Sequence, residues 1–166
     1  MIKLKKVYLG LGSNLGNRLE NINAANAMVE KLAGKILALS SLYETEPWGF
    51  ETDNKFINMV MCINTNLSPS ELLNRLLMIE AKLGRAREEG KYISRIIDID
   101  ILFYGDEVID DDVLHIPHPR LHERRFVLTP LNEIAPGLLH PVLKKNVESL
   151  SGECRDKSGV VLYSDT

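Results

Sequence analysis

Two aspartates carry the clearest chemical signal in the chain. In Arg95-Ile96-Ile97-Asp98-Ile99-Asp100-Ile101-Leu102-Phe103 they alternate with isoleucines at a period of two. A β-strand with that pattern turns Asp98 and Asp100 to one face and Ile97, Ile99 and Ile101 to the other. Aspartate is disfavoured in strands, and neighbouring like charges on one face repel. A bound cation would offset both costs. Paired carboxylates suit Mg²⁺, which takes oxygen ligands and shares them with substrate phosphates. Arg85, Arg87, Lys91 and Arg95 lie just upstream, and guanidinium groups match phosphate geometry. Carboxylates bridging two cations roughly 3.5–4 Å apart would clamp a displacement at phosphorus. The plainer alternatives are a strand with its polar face in water and a solvated loop whose Glu88 and Glu89 pair locally.

Other residue groups are weaker signals. His115, His118 and His122 are close in sequence, but no cysteine is near, and Pro117 and Pro119 hold the segment extended. Zinc is therefore a poor reading, and a histidine donating to phosphate a better one. Glu46-Pro47-Trp48-Gly49-Phe50 holds the only tryptophan, either a loop anchor or an aromatic wall for a flat ligand. Gly10-Leu11-Gly12-Ser13-Asn14-Leu15-Gly16 has its third glycine one residue late for a dinucleotide loop, and no parallel β-α-β series follows. There is no Gly-Lys-Ser/Thr phosphate loop either.

The elements that must position these residues follow from periodicity. Residues 6–12 read as a buried first strand. Asn17 with Glu20 resembles a capping box, and Leu19, Ile22, Val29 and Leu32 then form a helical apolar face that stops at Gly34. Residues 35–43 read as a second strand, 44–54 as a loop and 56–66 as a third strand. Ser68-Pro69-Ser70-Glu71 is a capping box with proline at the first helical position. Leu72, Leu76, Ile79 and Leu83 make that helix's core face, ended by Gly84. Residues 85–95 read as a mobile basic loop, and 96–104 as a fourth strand, expected to be central in its sheet. The order β-α-β-β-α-β predicts an α+β, ferredoxin-like sandwich. Short strands or loops should follow Gly105, with a helix after Arg124.

The chain has 166 residues, enough for one domain with a proper core. We expect a single domain over 1–166, with 155–166 as a loosely packed tail. Net charge is −3, which gives no overall basic field for nucleic acid. Cys62 and Cys154 stand far apart, pointing to a reducing compartment without a structural disulfide. No stretch approaches the roughly 20 apolar residues of a membrane span. The expectation is a cytoplasmic monomer that binds neither nucleic acid nor membrane.

Taken in order, several blocks resemble one family. They are Leu11-Gly12-Ser13-Asn14-Leu15-Gly16, Ser40-Ser41-Leu42-Tyr43-Glu44-Thr45, Phe56-Ile57-Asn58, Ile79-Glu80-Ala81-Lys82-Leu83-Gly84-Arg85, the Arg95 to Leu102 run, Ile116-Pro117-His118-Pro119-Arg120-Leu121, and Arg124-Arg125-Phe126-Val127-Leu128 with Glu133-Ile134-Ala135-Pro136. The ordered set resembles 6-hydroxymethyl-7,8-dihydropterin pyrophosphokinases of folate biosynthesis. The resemblance implies attack of the pterin hydroxymethyl oxygen on the β-phosphorus of MgATP, with AMP leaving. It implies two Mg²⁺ on Asp98 and Asp100, and Arg85 and Arg95 closing over the triphosphate. His118 and Arg124 would contact phosphate. Leu73, Leu77, Glu80, Arg87, Ile101 and His115 would line the nucleotide pocket. Asn58 would bond the pterin edge, Phe56 and Phe126 would sandwich its ring, and Thr45 and Trp48 would complete the wall. Tyr92-Ile93-Ser94 departs from the family's usual Trp-Gly-Pro, and Phe56 replaces a frequent tyrosine, keeping the ring. The rivals are an RNA-binding ferredoxin-like module, which would show aromatics where this strand shows aspartates, and a nucleotidyl transferase, which would release pyrophosphate.

Overall fold

Strand parity organises the molecule. In the computed structural model, which describes residues 3–46, 54–84 and 96–164, Val7, Leu9 and Leu11 of β1 (Lys5–Ser13) are buried with Ile57, Met59, Met61 and Ile63 of β4 (Phe56–Thr65) and with Ile99 and Ile101 of β5 (Asp98–Tyr104). The same cluster takes Ile22, Ala25 and Val29 from α1 (Arg18–Leu32) and Leu72, Leu76 and Ile79 from α2 (Pro69–Lys82). The residues between them point to the opposite sheet face. There Val60, Leu102 and Phe103 pack with Val127 and Leu131 of α3 (Arg125–Ile134) and Val147 of α4 (Val147–Glu153). Because both faces are covered, β4 is buried along almost its whole length.

With β3 (Tyr43–Thr45) and β8 (Val160–Leu162), the sheet runs β5-β1-β4-β3-β8, and β2 (Lys35–Leu39) also pairs with β4. The pairings are antiparallel throughout. Strands β1, β2, β4 and β5 with α1 and α2 make the predicted ferredoxin-like unit, and α3 and α4 cover its other face. A register shift at Tyr8/Leu9 sets Tyr8 opposite Phe103 and Leu9 opposite Ile101. The bulge lets the consecutive Leu102 and Phe103 both join the α3-side cluster.

The helix signals hold. Asn17 accepts the Glu20 N–H at 3.1 Å, and Ser68 with Glu71 forms a complete capping box. Gly84 ends α2 at φ +90°, a conformation that favours glycine. The helix expected after Arg124 is α3.

Three expectations change. The stretch 35–43 is not one strand, because β2 pairs with residues 61–64 and β3 (Tyr43–Thr45) with 56–58. Ser40 fills the break: its N–H donates to the Val60 carbonyl, and its Oγ accepts the Val60 N–H, both at 2.9 Å. Strand β5 is not central but at the sheet edge, because after Gly105 the chain leaves for the separate β6–β7 pair (Ile109–Asp110 and His115–Ile116). The tail is not loose throughout. Residues Val160–Leu162 form β8 on the outer edge of β3, and Asp156 accepts the Arg125 N–H at the start of α3 at 3.0 Å.

No helix among the described residues is long and apolar enough to cross a membrane. Cys62 and Cys154 are free thiols. Trp48, Arg85, Arg87, Arg95 and the expected mobile loop at 85–95 lie outside the described residues.

Candidate functional site

The site lies where the α3-facing side of the sheet loses its side chains. Gly10 and Gly12 of β1 stand opposite Asp100 and Asp98 on one side, and opposite Val60 and Asn58 on the other. The row Asn58–Gly12–Asp98 therefore crosses two interstrand spacings, about 9.5 Å, with no side chain in its middle. A cleft opens over it, lined by Gly10, Gly12, Asn58, Asp98, Asp100 and Phe126 among others. Asp98 and Asp100 are half-buried, while Ile97, Ile99 and Ile101 are buried on the far face at 0%, 5% and 6% exposure. The alternation seen in the sequence thus separates an acidic face from a core face.

One end of the cleft is suited to a flat, polar-edged molecule. Asn58 is buried and its Nδ2 donates to Thr45 Oγ1 at 2.5 Å. That bond fixes the amide so that Oδ1 points over Gly12, 2.5 Å from where a Cβ there would stand. Phe56 lies beside the same spot, its Cδ1 3.4 Å from that Cβ position. Phe126 lines the cleft from α3, with the Arg124 guanidinium carbon 5.6 Å from its ring centroid.

The other end is electrostatic. His118 N–H donates to the Leu102 carbonyl at 3.0 Å, so its segment runs beside β5 and covers part of the sheet edge. The segment is extended only over His115–Ile116 and turns at residues 119–120, a tighter path than its prolines alone suggested. Nδ1 of His118 accepts the Arg120 N–H at 3.2 Å, which assigns the proton to Nε2. Burial chiefly, then the Arg124 charge, push His118 down to about 4 against the pull of Asp98. It is a neutral N–H donor at physiological pH. Arg124 is buried at 9% exposure at the N-cap of α3.

The remaining predicted residues flank the β5 edge. Leu73 and Leu77 are half-buried on α2. Glu80 is 2% exposed and accepts the Ile99 N–H at 3.0 Å, bracing the edge strand. Ile101 is similarly a core residue beneath the edge. His115 is exposed, with Nδ1 2.6 Å from Asp110 Oδ1. Leu73, Leu77 and Glu80 sit on α2, and His115 on β7; both elements contact β5.

Sequence reading missed the supports. The Ser13 hydroxyl donates to the Ile96 carbonyl and accepts from Asn21 Nδ2 at 3.1 Å, tying the end of β1 to the entry of β5. Only the Gly12-Ser13-Asn14 motif hinted at it. Glu133 lay in a family-like block but was given no role, and Asp156 had no local signal at all; both hold α3 in place.

The oxygen-only chemistry of Asp98 and Asp100, facing a side-chain-free strip, fits a hard divalent cation. Fold and site define a ferredoxin-like α+β protein with an acidic pair at one end of a cleft shaped for a flat ligand. The chain belongs to the 7,8-dihydro-6-hydroxymethylpterin-pyrophosphokinase family, whose model matches residues 8–136. It is 43% identical over 147 residues to a 2-amino-4-hydroxy-6-hydroxymethyldihydropteridine pyrophosphokinase of Aquifex aeolicus, covering 89% of this chain and 91% of that protein. A protein of the same description from Porphyromonas gingivalis is 44% identical over 138 residues, covering 81% and 93%. Among solved structures, wild-type Plasmodium falciparum HPPK-DHPS with pterin and p-hydroxybenzoate superposes with a TM-score of 0.74 at 21% identity. It covers 91% of this chain, which spans only 42% of that one, and the likeness shows the fold.

Proposed function

We propose that the cleft transfers the terminal diphosphate of ATP to the hydroxymethyl group of 6-hydroxymethyl-7,8-dihydropterin. As a member of its family the chain is a pyrophosphokinase, a transferase of folate biosynthesis that uses ATP as co-substrate. The observation that carries the assignment of roles is the Asn58–Gly12–Asp98 row: an amide anchor, an empty strip and a carboxylate pair along one line.

The heterocycle lies over Gly12 between Phe56 and Phe126, where stacking orients it and Asn58 Oδ1 accepts from its edge. Thr45 fixes that amide, and Trp48 completes the wall. Its hydroxymethyl oxygen then points toward Asp98 and Asp100. These two hold Mg²⁺, taken as two ions, which when bound would neutralise phosphate charge. ATP lies along the β5 edge, near Leu73, Leu77, Glu80, Ile101 and His115, and Arg87 is assigned to the same nucleotide contacts. Neutral His118 donates through Nε2, and Arg124 contributes charge to the phosphates. Arg85 and Arg95 complete the phosphate contacts. The hydroxymethyl oxygen bonds to Pβ and gives up its proton to solvent as the bond from Pβ to the bridging oxygen breaks and its electron pair leaves on AMP, so alignment and charge do the work without a protein nucleophile.

The test is to identify the nucleotide product by chromatography. AMP should form only when ATP, Mg²⁺ and the hydroxymethyldihydropterin are all present. Asp98→Asn and Asp100→Asn should each slow its release by at least about 10²-fold with the circular dichroism unchanged. ADP or pyrophosphate as product, or wild-type rates in either variant, would sink the reading.

A further inference from the structure

Glu133 lies seven residues after Phe126 on α3. That spacing is two helical turns, about 10.5 Å along the axis, and sets both side chains on one helix face. The Glu133 carboxylate collects several donors from one short stretch of chain. Ser41 N–H reaches both oxygens at 3.0 Å, Ser41 Oγ–H donates at 2.9 Å, and the Tyr43 hydroxyl donates at 2.6 Å. Glu133 is exposed; the partial desolvation of its carboxyl would raise it, but the Tyr43 and Ser41 hydrogen bonds outweigh this and hold it below the ordinary carboxylate range. Burial and the facing carboxylate push Tyr43 up to about 12, so the phenol keeps its donor proton.

Tyr43 stands opposite Asn58 in the β3–β4 register, and Thr45, two residues on, holds the Asn58 amide. The contacts therefore run from Phe126 through α3 to Glu133, across to Tyr43, and along β3 to Thr45 and Asn58. This path links the two walls of the cleft without passing through Asp98 or Asp100, and Glu133 itself is not among the residues lining the cleft.

We propose that Glu133 is a positioning residue for the reaction: it sets the separation between the Phe126 wall and the Thr45–Asn58 wall, and so the fit of the flat heterocycle. The proposal rests on the assignment of those walls to the pterin. Small displacements of a bound reactant are costly, up to about 10²-fold for 1 Å.

The experiment is steady-state kinetics on the full chain, varying each substrate with the other saturating, for Glu133→Gln, Tyr43→Phe, the double variant and Phe126→Ala. Glu133→Gln should raise the pterin KM roughly tenfold with the ATP KM within about twofold. Tyr43→Phe should give a smaller rise with the same split. Because the two groups act through one contact, the double variant should be no worse than Glu133→Gln alone. Should Glu133→Gln fail to fold, Tyr43→Phe decides by the same split. An unchanged pterin KM in the Glu133 and Tyr43 variants, with a raised one in Phe126→Ala, overturns the positioning role and leaves the cleft assignment standing. Equal rises in both KM values mean a general structural role and also overturn it. If Phe126→Ala leaves the pterin KM unchanged, the cleft assignment fails and takes the proposal with it.

Discussion

Gly12 does the most at the residue scale by lacking a side chain. Its neighbours across the sheet, Asn58 and Asp98, are the two ends of the candidate site, and the strip between them is open only because β1 carries glycine there. A methyl group at Gly12 would meet Asn58 Oδ1 at 2.5 Å and Phe56 Cδ1 at 3.4 Å. Asn58 cannot swing aside freely, because its amide is bonded to Thr45. Gly12→Ala should therefore fold but lose pterin affinity, with the pterin KM up by about tenfold or more and the ATP KM little changed. Steady-state kinetics would check this, and an unchanged pterin KM would show that the heterocycle lies elsewhere. The sequence displays both glycines, yet weighing them only as a dinucleotide loop missed their role. That role depends on strand register, which brings together residues more than forty positions apart.

Helix α3 is the element on which the cleft depends, since it supplies Phe126 and begins at Arg124. Its own sequence provides no side-chain cap at its N-terminus. The cap comes from the tail: Asp156 accepts the Arg125 N–H at 3.0 Å and the Ser158 N–H and hydroxyl at 2.9 and 2.6 Å. Removing such a cap typically costs about 1 kcal/mol. Asp156→Ala should lower stability in urea by that amount, whereas Asp156→Asn, which can still accept the bond, should lose less. Equal stability of Asp156→Ala and wild type would show that the tail does not hold the helix. Elements with local signals were legible before any coordinates: the capped α1 and α2, the alternating β5, and α3 itself. Those that depend on remote partners were not. Polar residues 155–166 read as a loose end because nothing nearby in sequence says that β3 has an open edge for Val160–Leu162 to pair with. The edge position of β5 was misread for the same reason. Its alternation signals one buried and one polar face, but not which neighbours a strand will have.

The histidines and carboxylates that the fold perturbs all act in one direction. His118 is held down to about 4, mainly by burial and then by Arg124, and His140 is lowered by burial and by His122. The unfolded chain protonates these rings near the ordinary value of 6.5, while the folded protein resists. Between pH 6.5 and about 4 the unfolded state therefore binds more protons, and stability falls as the solution is acidified. Further down the carboxylates take over. Partial desolvation would raise the exposed Glu133 and the half-buried Asp156, but the hydrogen bonds from Tyr43, Ser41 and Ser158 lower them instead. Asp111 is lowered by the backbone N–H groups of Val113 and Leu114. The folded protein keeps these groups ionised at pH values where the unfolded chain protonates them, so their contribution is present above the ordinary carboxylate range and is lost below it. The two sets join into one continuous acid destabilisation that begins near neutrality rather than at pH 4. Urea unfolding in metal-free buffer at pH 7, 6 and 5 should show a steady decline, and His118→Gln should flatten its upper part. A stability constant from pH 7 to 5 would mean that the cleft histidine is not buried as a neutral donor. The phosphate contact proposed for it would then have to come from a charged ring.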